Sequence, residues 1–279
     1  MSTATATTAM PASAAATTTA APAAAFHAAL AKRAAPWVVP ALILVVWQAL
    51  AMTGVIAARI LPAPTDVARA GLEMLTEGTL LQDVAISARR ALVGFLIGGA
   101  IGFALGLING FFPWGARLLD STMQMARNIP HLALIPLVIL WFGIGETARL
   151  FLVAIGVAFP VYINTYHGVR NVDAGLIEMS RTYGLTTAQL FRHVVLPGAL
   201  PSILVGVRYA LGIMWLTLIV AETIAATSGI GYVTMNAREF LQTDVLVVGI
   251  LLYALLGKLA DAAARGLERQ LLAWHPSYA

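Results

Sequence analysis

Residues 91–116 read ALVGFLIGGAIGFALGLINGFFPWGA, a run without a charged side chain and with glycine recurring at 94, 98, 102, 106 and 110. At about 1.5 Å of rise per residue, a helix of this length crosses the roughly 30 Å of hydrocarbon in a bilayer. The fourfold spacing sets Gly94, Gly98, Gly102, Gly106 and Gly110 along one slowly drifting stripe of that helix. In lipid no hydrophobic drive brings helices together, so a stripe of small residues marks where a second helix can come close. We expect these glycines to serve helix packing.

Comparable apolar runs lie within 34–58, 128–145, 150–169, 200–221 and 244–261, of which 200–221 is interrupted by Arg208. Long continuous runs favour helices over the short alternating strands of a closed barrel. The chain is therefore predicted to be an all-α polytopic membrane protein with about six transmembrane helices. Composition agrees: of 279 residues 59% are hydrophobic and 11% charged, against roughly 25% charged in a soluble domain. Mean hydropathy is +0.84. Cysteine is absent, which excludes thiol redox chemistry, iron–sulfur clusters and cysteine-ligated zinc. A formal charge of +4 fits Lys and Arg held at one membrane face, and no nucleic-acid partner is expected.

Residues 1–25 are Ala, Thr, Ser and Pro with little else, too poor in apolar periodicity to offset the entropy of ordering. The expected organisation is a disordered cytoplasmic tail at 1–33, a transmembrane domain at 34–264 and a cytoplasmic C-terminal tail at 265–279. Lys32 and Arg33 directly before the first apolar run predict an uncleaved anchor with its N-terminus inside. The resulting inner side, with Arg117, Arg170, Arg181, Arg192, Lys258, Arg265 and Arg269, carries more cations than the outer side with Arg59, Arg69, Arg89, Arg90, Arg149 and Arg238. Both termini are expected to be cytoplasmic.

The polar stretch 170–200, RNVDAGLIEMSRTYGLTTAQLFRHVVLPGAL, is too patterned to be a plain connector. Asp173 is positioned to cap a short helix that carries Leu176, Ile177 and Tyr183 and stops at Gly184. Thr186 with Gln189 three residues on predicts a capping box, and the second helix is expected to end at Leu196-Pro197. Such a cytoplasmic helical hairpin suits docking of a soluble partner or of the membrane surface.

Glu178-Met179-Ser180, then three residues, Gly184, nine residues, Val194, one residue and Leu196-Pro197 resembles the EAA motif (EAA-x3-G-x9-I-x-LP) of permease subunits in bacterial ABC importers. The spacing matches; Met179, Ser180 and Val194 are the departures. Together with RNIPHLALIPLVILWFGIGE (127–146), VRYALGIMWLTLIVAETI (207–224), SGIGY (228–232) and residues 236–261, the resemblance is to the nitrate, sulfonate and taurine branch. The C-terminal half is most similar to its aliphatic sulfonate permeases. The resemblance implies a type I, MetI-like permease fold in the bacterial inner membrane. It implies a coupling role for the loop carrying Glu178, Met179, Ser180, Gly184, Leu196 and Pro197. It further implies two cytoplasmic ATPase subunits, a periplasmic substrate-binding protein and a second permease copy. ATP and Mg would be used by the partner ATPase, with no cofactor bound by this chain.

The residues themselves are consistent with that division. Gly257-Lys258 lacks the upstream glycine and following Ser or Thr of a phosphate loop, the histidines are scattered and HExxH and GxSxG are absent, so no catalytic or metal site is predicted. Charges within spans cost about 2.5–3.5 kcal/mol on insertion scales and mark functional candidates. Arg127 and Arg208 are the candidates to face an aqueous pathway and attract an anion; the alternative for each is snorkelling or pairing with Asp120 or Glu222. Asp261 and Arg265 are expected to pair as helical i,i+4 neighbours. Import of taurine, nitrate or another small molecule is the alternative within the family. A self-sufficient secondary transporter is the rival class, against which stand the lack of visible inverted repeats and of deep acidic residues other than the marginal Glu222.

Overall fold

The computed structural model describes residues 22–274. The expected tail at 1–21 and the last residues of the C-terminal tail, 275–279, lie outside them. Among the described residues, those up to Leu50 and those from Ala51 onward form two units. The first is all but the end of the helix α1 (Pro22–Met52), which begins well before the expected boundary at 33. Its segment Ala35–Met52 is long and apolar enough to cross a membrane.

The second unit comprises α2 (Pro64–Thr76), α3 (Thr79–Phe111), α4 (Pro113–Ala126), a 3-10 turn (His131–Leu134), α5 (Ile135–Phe142), α6 (Glu146–Arg170), α7 (Ala174–Thr182), α8 (Thr187–Leu190), a π-turn (Phe191–Val195), α9 (Leu196–Ala225), α10 (Ile230–Glu239) and α11 (Thr243–Leu271). Among the described residues five helices reach spanning length, counting α8 through α9 as one continuous helix. The run expected as one span at 128–145 is instead broken. Pro130 caps the 3-10 turn, Pro136 sits in the first turn of α5, and Gly143 at φ +70° ends α5.

Packing explains how that broken run still carries the chain across. Gly94 abuts Val153, Gly102 abuts Ala158 and Gly110 abuts Val169, so positions rise together and α3 and α6 run parallel. The chain must therefore return over the whole length of α3 between Phe111 and Glu146, by way of α4, the 3-10 turn and α5. His131 Nε2, 2.9 Å from Thr217 Oγ1, ties this return path to α9. Against α6, α9 is antiparallel: Gly168 meets Ala199, Gly206 meets Pro160, and Gly156 meets Thr217. In turn α11 is antiparallel to α9, since Arg208 pairs with Asp261 and Glu222 with Tyr253. Val153, Val157, Met214, Leu218 and Ile230 fill the core between these helices.

The glycine stripe does what its spacing predicted. A Cβ at Gly94 would lie 2.6 Å from Val153 Cγ1, and one at Gly110 2.7 Å from Val169 Cβ. At Gly98 and Gly102 it would collide with the Ala154 and Ala158 carbonyls. Close approach of helix backbones, and the dispersion contacts it allows, is the source of association here.

Candidate functional site

The hairpin at 173–197 stands at the end of the bundle where α3 and α6 finish. Asp173 Oδ1 accepts the Leu176 N–H at 3.1 Å, capping α7. At its other end the Gly184 N–H donates to Arg181 O and the Leu185 N–H to Ser180 O, with Gly184 at φ +78°. This pair of bonds is a Schellman stop, and the left-handed conformation is the reason glycine stands there. Thr186 and Gln189 form the expected capping box at the start of α8.

The second helix departs from expectation. Leu196-Pro197 does not end it: the chain widens into a π-turn in which the Leu196 N–H reaches Phe191 O, then continues directly as α9. Pro197 sits in the first turn after the π-turn, where its missing N–H is tolerated. The second helix of the hairpin and the spanning helix are thus continuous, and half-buried Phe191 anchors their junction edge-on against Phe111 at 5.2 Å between ring centroids.

The motif residues divide between faces. Glu178 and Met179 are exposed, Gly184 is exposed at the turn, Ser180 is buried with its hydroxyl donating to Leu176 O, and Leu196 and Pro197 are half-buried at the head of α9. Ile177 packs inward on the cluster of Val169, Leu190 and Val195. Leu176, Met179 and Tyr183 stay 49%, 50% and 79% exposed and make an apolar outer surface on α7. A cavity of about 510 Å³ separates the hairpin from the ends of α3 and α6, with Arg170 and Arg181 in its lining.

Arg127 lies exposed at the end of α4, beside the break before Pro130. Arg208 is on the exposed side of α9, with Nε 2.8 Å from Asp261 Oδ1 and Nη1 3.9 Å from Glu268 Oε2. The expected Asp261–Arg265 pair is present as well. Arg208 is therefore held by α11, and Glu222 belongs to another cluster.

That cluster, at the opposite end of the bundle, joins residues far apart in the sequence. Glu222 is 1% exposed and Arg90 4%. Arg90 Nη1 donates to Glu222 Oε1 at 2.8 Å and to Ser228 O at 2.6 Å, while its Nε donates to Glu146 at 2.8 Å. Ser87 Oγ lies 2.8 Å from both Glu222 oxygens and accepts the Ile230 N–H. The Gly231 N–H at the start of α10 and the Tyr253 hydroxyl donate to Glu222 Oε2 at 2.9 and 3.0 Å. The carboxylate thus sits on a helix N-terminus as well as on a guanidinium. Gly229, at φ +100°, leaves no room for a Cβ between Glu222, Arg90 and Ser87. Arg90 and Ser87 lie inside α3, which starts at Thr79, because this network satisfies them; they are not loop residues preceding a span. SGIGY at 228–232 was the one local signal of the arrangement.

Comparison with known proteins places the same segments in one family. The model of the binding-protein-dependent transport system inner membrane component matches residues 98–272. A protein of Escherichia coli (strain K12) named as an aliphatic sulfonates transport permease is 63% identical over 246 residues, covering 88% of this chain and 94% of that protein. Its namesake in Bacillus subtilis (strain 168) is 45% identical, covering 86% of this chain and 87% of its own. A taurine transport system permease of E. coli (strain K12) is 37% identical, covering 84% and 87%. Among solved structures, an amino acid ABC transporter with histidines aligns at TM-score 0.57 and 19% identity over 71% of this chain and 97% of that one. The MetNI methionine ABC transporter in inward-facing form aligns at TM-score 0.51 and 21% identity over 64% and 92%. These two likenesses establish the MetI-like fold.

Proposed function

The chain belongs to the family of binding-protein-dependent transport system inner membrane components, and on that premise we propose that it is the permease subunit of an ATP-driven importer of aliphatic sulfonates. Identity of 63% to the E. coli sulfonate permease against 37% to the taurine permease favours sulfonates over taurine. ATP and Mg belong to two separate cytoplasmic ATPase subunits, and this chain supplies no catalytic group. A periplasmic protein delivers substrate, and two copies of the permease complete the assembly.

The observation that carries the mechanism is the continuity of α8, the second helix of the hairpin, with α9. The exposed surface of α7, with Leu176, Glu178, Met179 and Tyr183, receives the ATPase. Closure of the ATPase pushes the hairpin, and α8, continuous through the π-turn with α9, carries the push into the spanning helix. The far end of α9 is bolted through Glu222 to α3, α10 and α11. A rod pushed at one end and fixed at the other tilts. Arg208, on its exposed side about 18 Å from Leu196 along the helix, is carried with it. Reporter fusions after Gln82 and after Ala188 should fall on opposite sides of the membrane, the second cytoplasmic.

The deciding experiment is growth of a strain deleted for this gene on hexanesulfonate, taurine or sulfate as sole sulfur source. Loss on hexanesulfonate alone is expected; loss on taurine alone would move the substrate to the other branch.

A further inference from the structure

The glycine stripe of α3, Gly94, Gly98, Gly102, Gly106 and Gly110, is pressed onto α6, whereas a Cβ added at Gly212 in α9 or Gly257 in α11 would meet no atom within 4 Å. Both are helical and lie on the wall of one recess of about 480 Å³, a volume in the range of small-molecule sites. Leu216 and Tyr209 continue the wall, and the Arg208–Asp261 pair closes one end. Arg208 is 44% exposed at its side chain and Asp261 33%. The recess is thus apolar along its length and ends at an ion pair in which the Arg208 guanidinium is held by Asp261, with Glu268 nearby.

Resting on the sulfonate reading above, we propose that this recess is a transient binding site for an amphiphilic monoanion. The sulfonate head takes Arg208 from Asp261, and the alkyl tail lies over Gly212 and Gly257. The chemistry follows from three features. A guanidinium binds an oxyanion through parallel N–H donors. Glycines that pack against nothing keep space for an unbranched tail. Asp261 competes for the same guanidinium, so the bound anion is exchanged for a carboxylate and leaves. Asp261 therefore acts as a releasing counter-ion, and the length of the recess sets the range of tail lengths accepted.

The test uses the complete transporter, with its ATPases and binding protein, in proteoliposomes supplied with ATP and with methane-, hexane- or octanesulfonate. Gly212→Leu and Gly257→Leu project into open space on unstrained helices. They are expected to lower the ratio of hexane- and octanesulfonate uptake to methanesulfonate uptake at least about tenfold. Arg208→Gln should lower uptake of all three. In the permease–ATPase complex alone, Asp261→Asn should bind labelled hexanesulfonate about tenfold more tightly than the wild type, and Arg208→Gln should not bind it. An unchanged tail-length profile in both glycine variants overturns the site, as does equal binding by wild type, Asp261→Asn and Arg208→Gln. The glycine variants decide alone if Asp261→Asn fails to assemble. Wild-type vesicles that take up no sulfonate of any length would overturn the substrate reading itself, a result distinct from normal uptake with an unaltered profile.

Discussion

At one end of the bundle Ser87, Arg90 and Glu222 are at most 4% exposed and bound across α3, α6, α9, α10 and α11; at the other, α7 and α8 have nine and four residues and expose Leu176, Met179 and Tyr183. The first end satisfies its charges internally, so it has one arrangement and a steep penalty for any other. The second is held by caps and turns, each of modest energy, and leaves apolar surface for a partner. Damage at the two ends should therefore read out differently: loss of folded protein at the first, loss of work at the second.

The largest effect is expected from Glu222→Ala, which takes from buried Arg90 one of its two carboxylate partners, leaving Glu146, and takes from Ser87, Tyr253 and the Gly231 N–H their shared acceptor. Breaking a buried pair from one side costs about 3–5 kcal/mol. Membrane abundance and thermal stability in detergent should fall sharply; Arg90→Met combined with Glu222→Leu should recover part of the loss. A Glu222→Ala protein that melts like the wild type would remove the fixed point from the comparison. Next comes Gly98→Leu, which must force α3 from α6 against the Ala154 carbonyl, an overpacking of about 1–3 kcal/mol or more. Gly99 on the same helix has only Val157 Cγ1 at 4.0 Å, so Gly99→Ala should be nearly neutral in the same melting assay and sharpens the contrast.

At the hairpin end the expected energies shrink while the functional loss does not. Gly184→Val strains a left-handed residue by about 1–2 kcal/mol and re-aims α8, so abundance should stay near normal while sulfonate uptake and ATPase co-purification fall. Gly184→Asn, which tolerates that conformation, should retain most uptake. The smallest effect is that of Asp173→Ala, loss of one N-cap, about 1 kcal/mol and local to α7. It should weaken co-purification of the ATPase without changing abundance, and Asp173→Asn should behave as wild type.

The same contrast separates what could be read from the sequence from what could not. Caps, the Schellman stop and the capping box join residues three to five apart, so Asp173, Gly184, Thr186 and Gln189 were legible. The glycine stripe of α3 was legible too, because helical spacing alone creates it, although its partner face on α6 was not. Arg90 and Glu222 are 132 positions apart. Separately, one passed for a loop cation and the other for a marginal acid; only their meeting makes both compatible with a membrane interior. Leu196-Pro197 was misread because proline commonly follows a helix end, whereas a π-turn upstream lets the helix absorb it. The further break at Pro136 and Gly143 was hidden by the uniform hydropathy of the run around it.

The parallel pairing of α3 with α6 also sets a schedule for the newborn chain. The glycine face of α3 is complete when Phe111 has been made, but its mate is complete only at Arg170, with an entire return crossing to be synthesised in between. At about 5–20 residues per second, several seconds pass during which that face has nothing of its own chain to close upon. For that interval the insertion machinery, or lipid, has to shield it.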